Sequence, residues 1–128
     1  MTVGQAAATV NAIIDAELRG VAYAGNSTPY LQLHTGDPGA SGTASVSSVT
    51  TRKALTFSAA SGGATSAAEV TWTSWAGTSP ETVTHVSIWS ASSAGTFIRS
   101  GLLTTAKTVT TGDTLGVTVS ASQSPIAA

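Results

Sequence analysis

Apolar residues recur at a helical spacing near the start of the chain. Thr2 and Gln5 fit a Thr-x-x-Gln capping box, and Gly20 stands where a left-handed C-terminal cap is expected. Between these signals the apolar residues are spaced three or four apart, as on one face of an α-helix: Val3, Ala7, Val10, Ile14 and Leu18. The pattern therefore predicts an amphipathic helix over residues 1–20.

After Pro29 the apolar period changes to two, which is typical of β-strands. Leu55 and Phe57 share one face, as do Val86 and Ile88, and clusters of Gly, Asp, Pro and Ser separate the segments. Many short strands with regular turns favour an antiparallel sandwich or barrel over a parallel sheet. The predicted strands are 30–34, 52–58, 69–73, 83–89, 96–100, 107–110 and 114–120.

The expected fold class is therefore mainly β: an antiparallel β-sandwich or barrel of about seven short strands over residues 30–120, with one N-terminal α-helix. We see no linker and expect a single domain over residues 1–128. Residues 36–51 lack large apolar side chains, so we expect an extended surface loop or arm there. Asp37 and Pro38 begin this arm, and Asp37 is interpreted as a turn former that bonds nearby backbone N–H groups.

Composition narrows the functional classes. Charged residues make up 9% of the chain and the formal net charge is −1, which argues against a nucleic-acid binder. The chain is 41% hydrophobic, unlike most disordered chains, and it has no Cys for disulfides or thiol chemistry. We see no apolar run long enough for a membrane span and no positively charged signal peptide. We therefore expect synthesis and assembly in the cytoplasm, without membrane or nucleic-acid partners.

Candidate chemistry is sparse. His34 and His85 lack metal-ligand spacing, although acidic residues elsewhere could in principle complete a triad with them. Both histidines are better explained as hydrogen-bonded strand residues. Glu69 and Glu81 flank a Trp-containing segment, but we interpret both as solvated charges. No nucleophile elbow or nucleotide-binding glycine pattern occurs in the sequence. We expect no catalytic residues, metal or cofactor, and not an enzyme.

The tryptophans leave two interpretations open. Exposed indoles could stack on sugars and form a carbohydrate platform, or the indoles could fill the core or a subunit interface of a chain poor in Leu and Phe. Trp72 alternates with Val70 and is expected in the core, whereas Trp75 lies in an irregular segment and could be exposed. Arg52 and Lys53 face opposite sides of a strand, so one of them could pair with a carboxylate on a neighbouring subunit.

Several segments together resemble a family of small virion structural proteins of tailed bacteriophages, labelled tail-fibre, minor tail or minor capsid proteins. The segments are His34-Thr-Gly-Asp-Pro-Gly39, Val83-Thr-His-Val-Ser-Ile-Trp89 and Lys107-Thr-Val-Thr-Thr-Gly-Asp113. The resemblance covers nearly the whole chain. It implies a non-enzymatic virion component, and no catalytic residue carries over from it.

Within that resemblance we expect a capsid decoration or minor capsid protein on the head exterior, which binds the major capsid protein and stabilises contacts between capsomers. The chain shows no shaft or separate attachment module of the kind that a fibre needs. The alternatives are a minor tail or tail-fibre component bound to tail proteins, or a host-glycan-binding module. We expect a homo-oligomer, a trimer, whose contacts come from the helix and the arm. The candidate interface residues are Val3, Val10, Ile14, Leu18, Asp37, Pro38, Arg52 and Trp75.

Overall fold

A computed structural model describes residues 3–122. The protein is mainly β, with 38% of residues in strands and 11% in a helix. This confirms the expected class of antiparallel sheets with one N-terminal helix, with eight strands in place of about seven. The elements in chain order are α1 (Ala7–Arg19), β1 (Tyr30–His34), β2 (Lys53–Ala54), β3 (Ala64–Ser66), β4 (Val70–Trp72), β5 (Glu81–Trp89), β6 (Phe97–Val109), β7 (Leu115–Val117) and β8 (Ser120–Ser122).

Helix α1 is shorter than the sequence pattern predicts. It begins at Ala7 with Ala6 as a cap that has no side-chain hydrogen bond, so the predicted capping box is wrong. Gln5 instead pairs with Arg99 in a β-bridge, and Thr2 lies outside the described residues. The C-terminal cap is confirmed, because Gly20 has the left-handed φ of 68°. Within residues 3–122 no helix is long and apolar enough to cross a membrane.

The largest sheet has four antiparallel strands in the order β2-β1-β5-β6. Strand β6 was predicted as two strands, 96–100 and 107–110, but it runs continuously along β5. The register explains the discrepancy: His85 pairs with Leu102 and Val83 with Lys107, so four residues of β6 lie opposite Thr84 alone. This irregularity in the strand register interrupts the apolar alternation of β6, between the two segments that the sequence pattern predicted as separate strands.

Two small antiparallel pairs, β3–β8 and β4–β7, complete the structure. The predicted strand 114–120 is divided between β7 and β8, and β3 was missed because Ala64–Ser66 carries no apolar alternation. One core joins the large sheet to the β4–β7 pair. Its principal buried residues are Leu31, Leu33, Leu55, Trp72, Trp75, Val83, Val86, Ile88, Val109, Leu115, Val117 and Val119.

Residues 36–51 form a loop, which is one of the two forms expected, but the loop folds back on the end of β1 instead of extending from the surface. Thr35 N–H donates to Ser45 O at 2.8 Å, and Ser47 N–H donates to Leu33 O at 3.1 Å. Pro38 is buried at the start of the loop. These contacts tie the loop to the end of β1, where β2 no longer covers the strand.

Candidate interaction surfaces

The first candidate surface is an apolar face on α1 and the residues next to it. We define the α1 apolar face as five exposed apolar residues on or next to the helix: Val3, Ile14, Leu18, Val21 and Tyr23. Leu18 is 79% exposed and Ile14 is 46% exposed, whereas Val10 is half-buried. Among the helix residues Thr9 is the one that the protein buries. Ile14 and Leu18 lie one turn apart on the same side of α1, and exposed apolar side chains in such positions are common at protein contacts, so this face can serve as an interface.

Asp37 and Pro38 do not add to this surface. Asp37 Oδ1 accepts a hydrogen bond of 2.8 Å from Gly39 N–H, as expected of a turn former. Pro38 packs inside the folded loop and is almost completely buried. Pro38 is therefore covered by its own chain, and the sequence-based assignment of Pro38 to an interface is wrong.

The tryptophans form no exposed platform. Trp72, Trp75 and Trp89 are all buried, with exposed fractions of 7% or less. The Nε1 atom of Trp75 donates to Thr78 O at 2.9 Å, and that of Trp72 donates to Thr51 O at the same distance. Trp72 is in the core, as predicted, whereas the prediction that Trp75 could be exposed is wrong. Because all three indoles are buried, they cannot form a carbohydrate platform.

Arg52 binds within its own chain. Its Cζ lies 4.2 Å above the ring of Trp89, which is a cation–π contact, and its Nη1 donates to the carbonyls of Ala91 and Ala94 at 2.9 and 2.8 Å. The guanidinium therefore closes the turn between β5 and β6 and covers one side of Trp89. This role was not evident in the sequence, since Ala91 and Ala94 are 39 and 42 residues away.

A buried polar network connects β1, β5 and the folded-back loop. His34 is 0% exposed; its Nδ1 lies 2.8 Å from Ala44 O and its Nε2 lies 2.7 Å from Ser87 Oγ. Ser87 also accepts a hydrogen bond of 2.8 Å from Trp89 Nε1. Burial of the imidazole lowers the pKa of His34, and the nearby charges of His85 and Arg52 lower it further. The sequence predicted a hydrogen-bonded histidine but gave no sign of its partner Ser87.

Glu81 has a structural contact that sequence reasoning missed. Its Oε1 accepts a hydrogen bond from Ser47 Oγ, and its Oε2 accepts one of 3.2 Å from Ser48 N–H. The carboxylate therefore fixes the folded-back loop to the start of β5. The interpretation of Glu81 as a solvated charge is wrong. The sequence could not predict this contact, because two adjacent serines and a distant glutamate are a common combination in proteins.

The described residues contain no cluster suited to a metal ion: residues 3–122 hold no group of three or more metal-ligating His, Asp or Glu side chains. The His34–Ser87 pair has the hydrogen-bond geometry of a base and a hydroxyl. Both side chains are 0% exposed, however, so a substrate cannot reach the hydroxyl in this conformation. The His34–Ser87 pair is therefore suited to holding β1 against β5. The α1 apolar face, in contrast, is accessible to a partner.

Comparison with known proteins identifies the family. A family model described as Podophage GP4 fiber I protein gp80 matches residues 4–124. No curated protein matches the chain. Because the family model spans nearly all 128 residues, the chain belongs to the podophage GP4 fiber I protein gp80 family and is a small structural protein of a phage virion.

Proposed function

We propose that this protein is a non-enzymatic structural subunit of a phage tail fibre. The observation that carries the proposal is the match of a family named for a fibre over residues 4–124. It favours the tail or fibre alternative over the capsid decoration that we expected from the short chain.

The structure supports an assembly role. The α1 apolar face leaves Leu18 79% exposed and Ile14 46% exposed, which is unfavourable for an isolated subunit in water. Contact with another subunit would remove these side chains from water. We propose a closed homo-oligomer, a trimer, that joins neighbouring tail proteins. The buried networks around His34 and Arg52 would keep each subunit rigid while α1 makes the contacts.

The experiment combines copy number with position. Quantitative mass spectrometry of purified virions gives the number of copies relative to the major capsid protein, and gold-labelled antibodies show where the copies lie. We expect a small number of copies, in multiples of three, with label at the tail. Hundreds of copies with label across the head would contradict the proposal and favour capsid decoration. Absence from the particle would contradict both locations.

A further inference from the structure

The outer edge of β6 already binds an extended segment of this chain. Ala6 N–H donates to Ile98 O at 2.8 Å, and Ser100 N–H donates to Gly4 O at 2.7 Å. Gln5 and Arg99 lie opposite each other between these two bonds in antiparallel register. Residues 4–6 thus add a short fifth strand to the four-stranded sheet, which is the geometry of β-strand addition.

The N-terminal strand and α1 have few other ties to the protein. Thr9 is the buried residue of α1, and residues 20–28, which follow the helix, are exposed and form no helix or strand. A connection of nine residues can span about 30 Å when extended. The connection is therefore long enough for the strand and helix to reach the β6 edge of a neighbouring copy.

Exposed apolar side chains concentrate on this N-terminal unit of strand and helix and on the start of the connection that follows it. Six large hydrophobic residues are exposed among the described residues, and five of them lie between Val3 and Tyr23. The sixth, Leu102, is 65% exposed on β6, just beyond the paired residues. Docking within one chain thus leaves this apolar surface in contact with water.

We propose that the N-terminal strand and helix exchange between copies of this protein, so that Gly4–Ala6 of one copy pairs with Ile98–Ser100 of the next. A second copy is the partner because the β6 edge already pairs with this very segment, and the same backbone bonds form within or between chains. Exchange therefore sacrifices no pairing, while it places α1 at the junction between two copies, where the copy that donates the helix can cover its apolar face. The inference holds whether the protein lies on the tail or the head, so its failure would leave the proposed location untouched.

Engineered disulfides give a direct test, because the natural sequence has no Cys. Gln5 and Arg99 form a non-hydrogen-bonded pair of an antiparallel ladder, in which Cα atoms are typically about 4.5 Å apart and can accept a disulfide. We expect the oxidised Gln5→Cys/Arg99→Cys protein to run as covalent dimers and trimers on a non-reducing gel. A monomer in which both thiols are consumed would overturn the proposal.

Two controls make the result interpretable. The Thr82→Cys/Thr108→Cys pair joins β5 to β6, where the two Oγ1 atoms are 3.0 Å apart, and it must form an intramolecular disulfide. Each single-Cys variant measures random cross-linking between molecules, which should stay well below that of the Gln5–Arg99 pair. If the single variants cross-link as strongly, the result counts against exchange. Emission of the buried tryptophans checks that every variant is folded.

A proline pair tests the same inference without cysteine. Ala6 has a φ of −63°, which suits proline, so Ala6→Pro removes the N–H that bonds Ile98 with little backbone strain. Ala7→Pro places proline at the first helical position, where it is tolerated, and keeps that bond. Ala6→Pro removes this bond from the closed monomer as well as from the exchanged oligomer, so we expect light scattering to show a shift towards monomer with an undocked segment, whereas Ala7→Pro should leave the oligomer unchanged. Equal oligomer content in both variants would argue against exchange.

Discussion

His34 and Ser87 are 53 residues apart in sequence and share a hydrogen bond of 2.7 Å where neither side chain is exposed. The directions of the bonds follow from the partners. Ala44 O can only accept, so His34 Nδ1 carries the proton and Nε2 is an acceptor. The Ser87 hydroxyl therefore donates to Nε2 and accepts from Trp89 Nε1. A neutral imidazole satisfies every group in this network.

The first prediction concerns pH. Because burial holds the pKa of His34 below its usual value of 6.5, the unfolded chain binds a proton that the folded chain does not bind. The free energy of unfolding is thus complete above pH 6.5 and decreases as the pH falls below 6.5 towards the folded-state pKa, by at most about 1.4 kcal/mol per pH unit. Urea unfolding between pH 8 and 5, followed by tryptophan emission, measures this slope.

The control for this slope is a pair of histidine variants. His34→Gln should lower stability at pH 8 and remove the His34 contribution to the slope. His85→Gln removes only a smaller cause of the lowered pKa of His34, so it should keep most of that contribution. An unchanged slope in His34→Gln would contradict our assignment of the acid sensitivity to this imidazole.

Substitution of Ser87 tests the network itself. Ser87→Ala leaves His34 Nε2 and Trp89 Nε1 buried without a partner, so we expect the free energy of unfolding to fall by about 3 kcal/mol. Ser93→Ala, in an exposed turn, is the matched control and should change it by less than about 0.5 kcal/mol. Similar values for the two variants would show that the buried bonds contribute little.

Arg52 offers a test of the cation–π contact with Trp89. Lysine keeps the charge but lacks the planar group that covers the ring and reaches two carbonyls, so Arg52→Lys should lower the free energy of unfolding by about 1 kcal/mol. Arg19→Lys is the control, because Arg19 makes an exposed pair with Asp15 that such a change barely affects. Thermal unfolding of both proteins compares them, and equal melting temperatures would refute this role.

Gly42 lies in the folded-back loop against Phe97. It has a φ of 74°, and a Cβ at this position would lie 2.5 Å from the Phe97 ring. Gly62 has a φ of 61° with no atom near its Cβ position, so Gly62→Ala isolates the backbone strain, about 1 kcal/mol. We expect Gly42→Ala to be clearly more destabilising and to increase hydrogen exchange at residues 44–48. If both alanine variants are equally stable, the loop does not pack tightly on Phe97.

The α1 apolar face predicts a separation of assembly from folding. Leu18 is 79% exposed, so Leu18→Gln should leave the unfolding free energy of the monomer within about 0.5 kcal/mol. Burying a leucine at an interface is worth about 2 kcal/mol, so the oligomer should dissociate at a concentration at least about tenfold higher. Analytical ultracentrifugation measures this. Glu17→Gln, on the exposed neighbouring position, should assemble like the natural protein, and equal assembly of both variants would exclude Leu18 from the contact.

Local sequence signals predicted the elements whose determinants lie within a few residues. Tyr30–His34 was predicted with its observed bounds because turn residues enclose it, and Gly20 marked the helix end. The start of α1 was predicted too early because Gln5 pairs with Arg99 in a β-bridge, and Arg99 is distant in sequence. Of the residues predicted for an interface, Ile14 and Leu18 are exposed, whereas Pro38 and Trp75 are buried. Pro38 and Trp75 are buried by contacts with other segments of the chain, and the apolar periodicity of the sequence does not indicate such contacts.

The sequence by itself determined that this protein is a β-rich chain with one amphipathic helix, since period, turn residues and caps are local properties. Tertiary structure decided which of those residues face water. It folded residues 36–51 back through Ser47 and Glu81, and it closed the network of His34 and Ser87 across two strands. It also left the apolar side of α1 uncovered. Such outcomes depend on contacts between distant segments, whose geometry exists only after the sheets have formed.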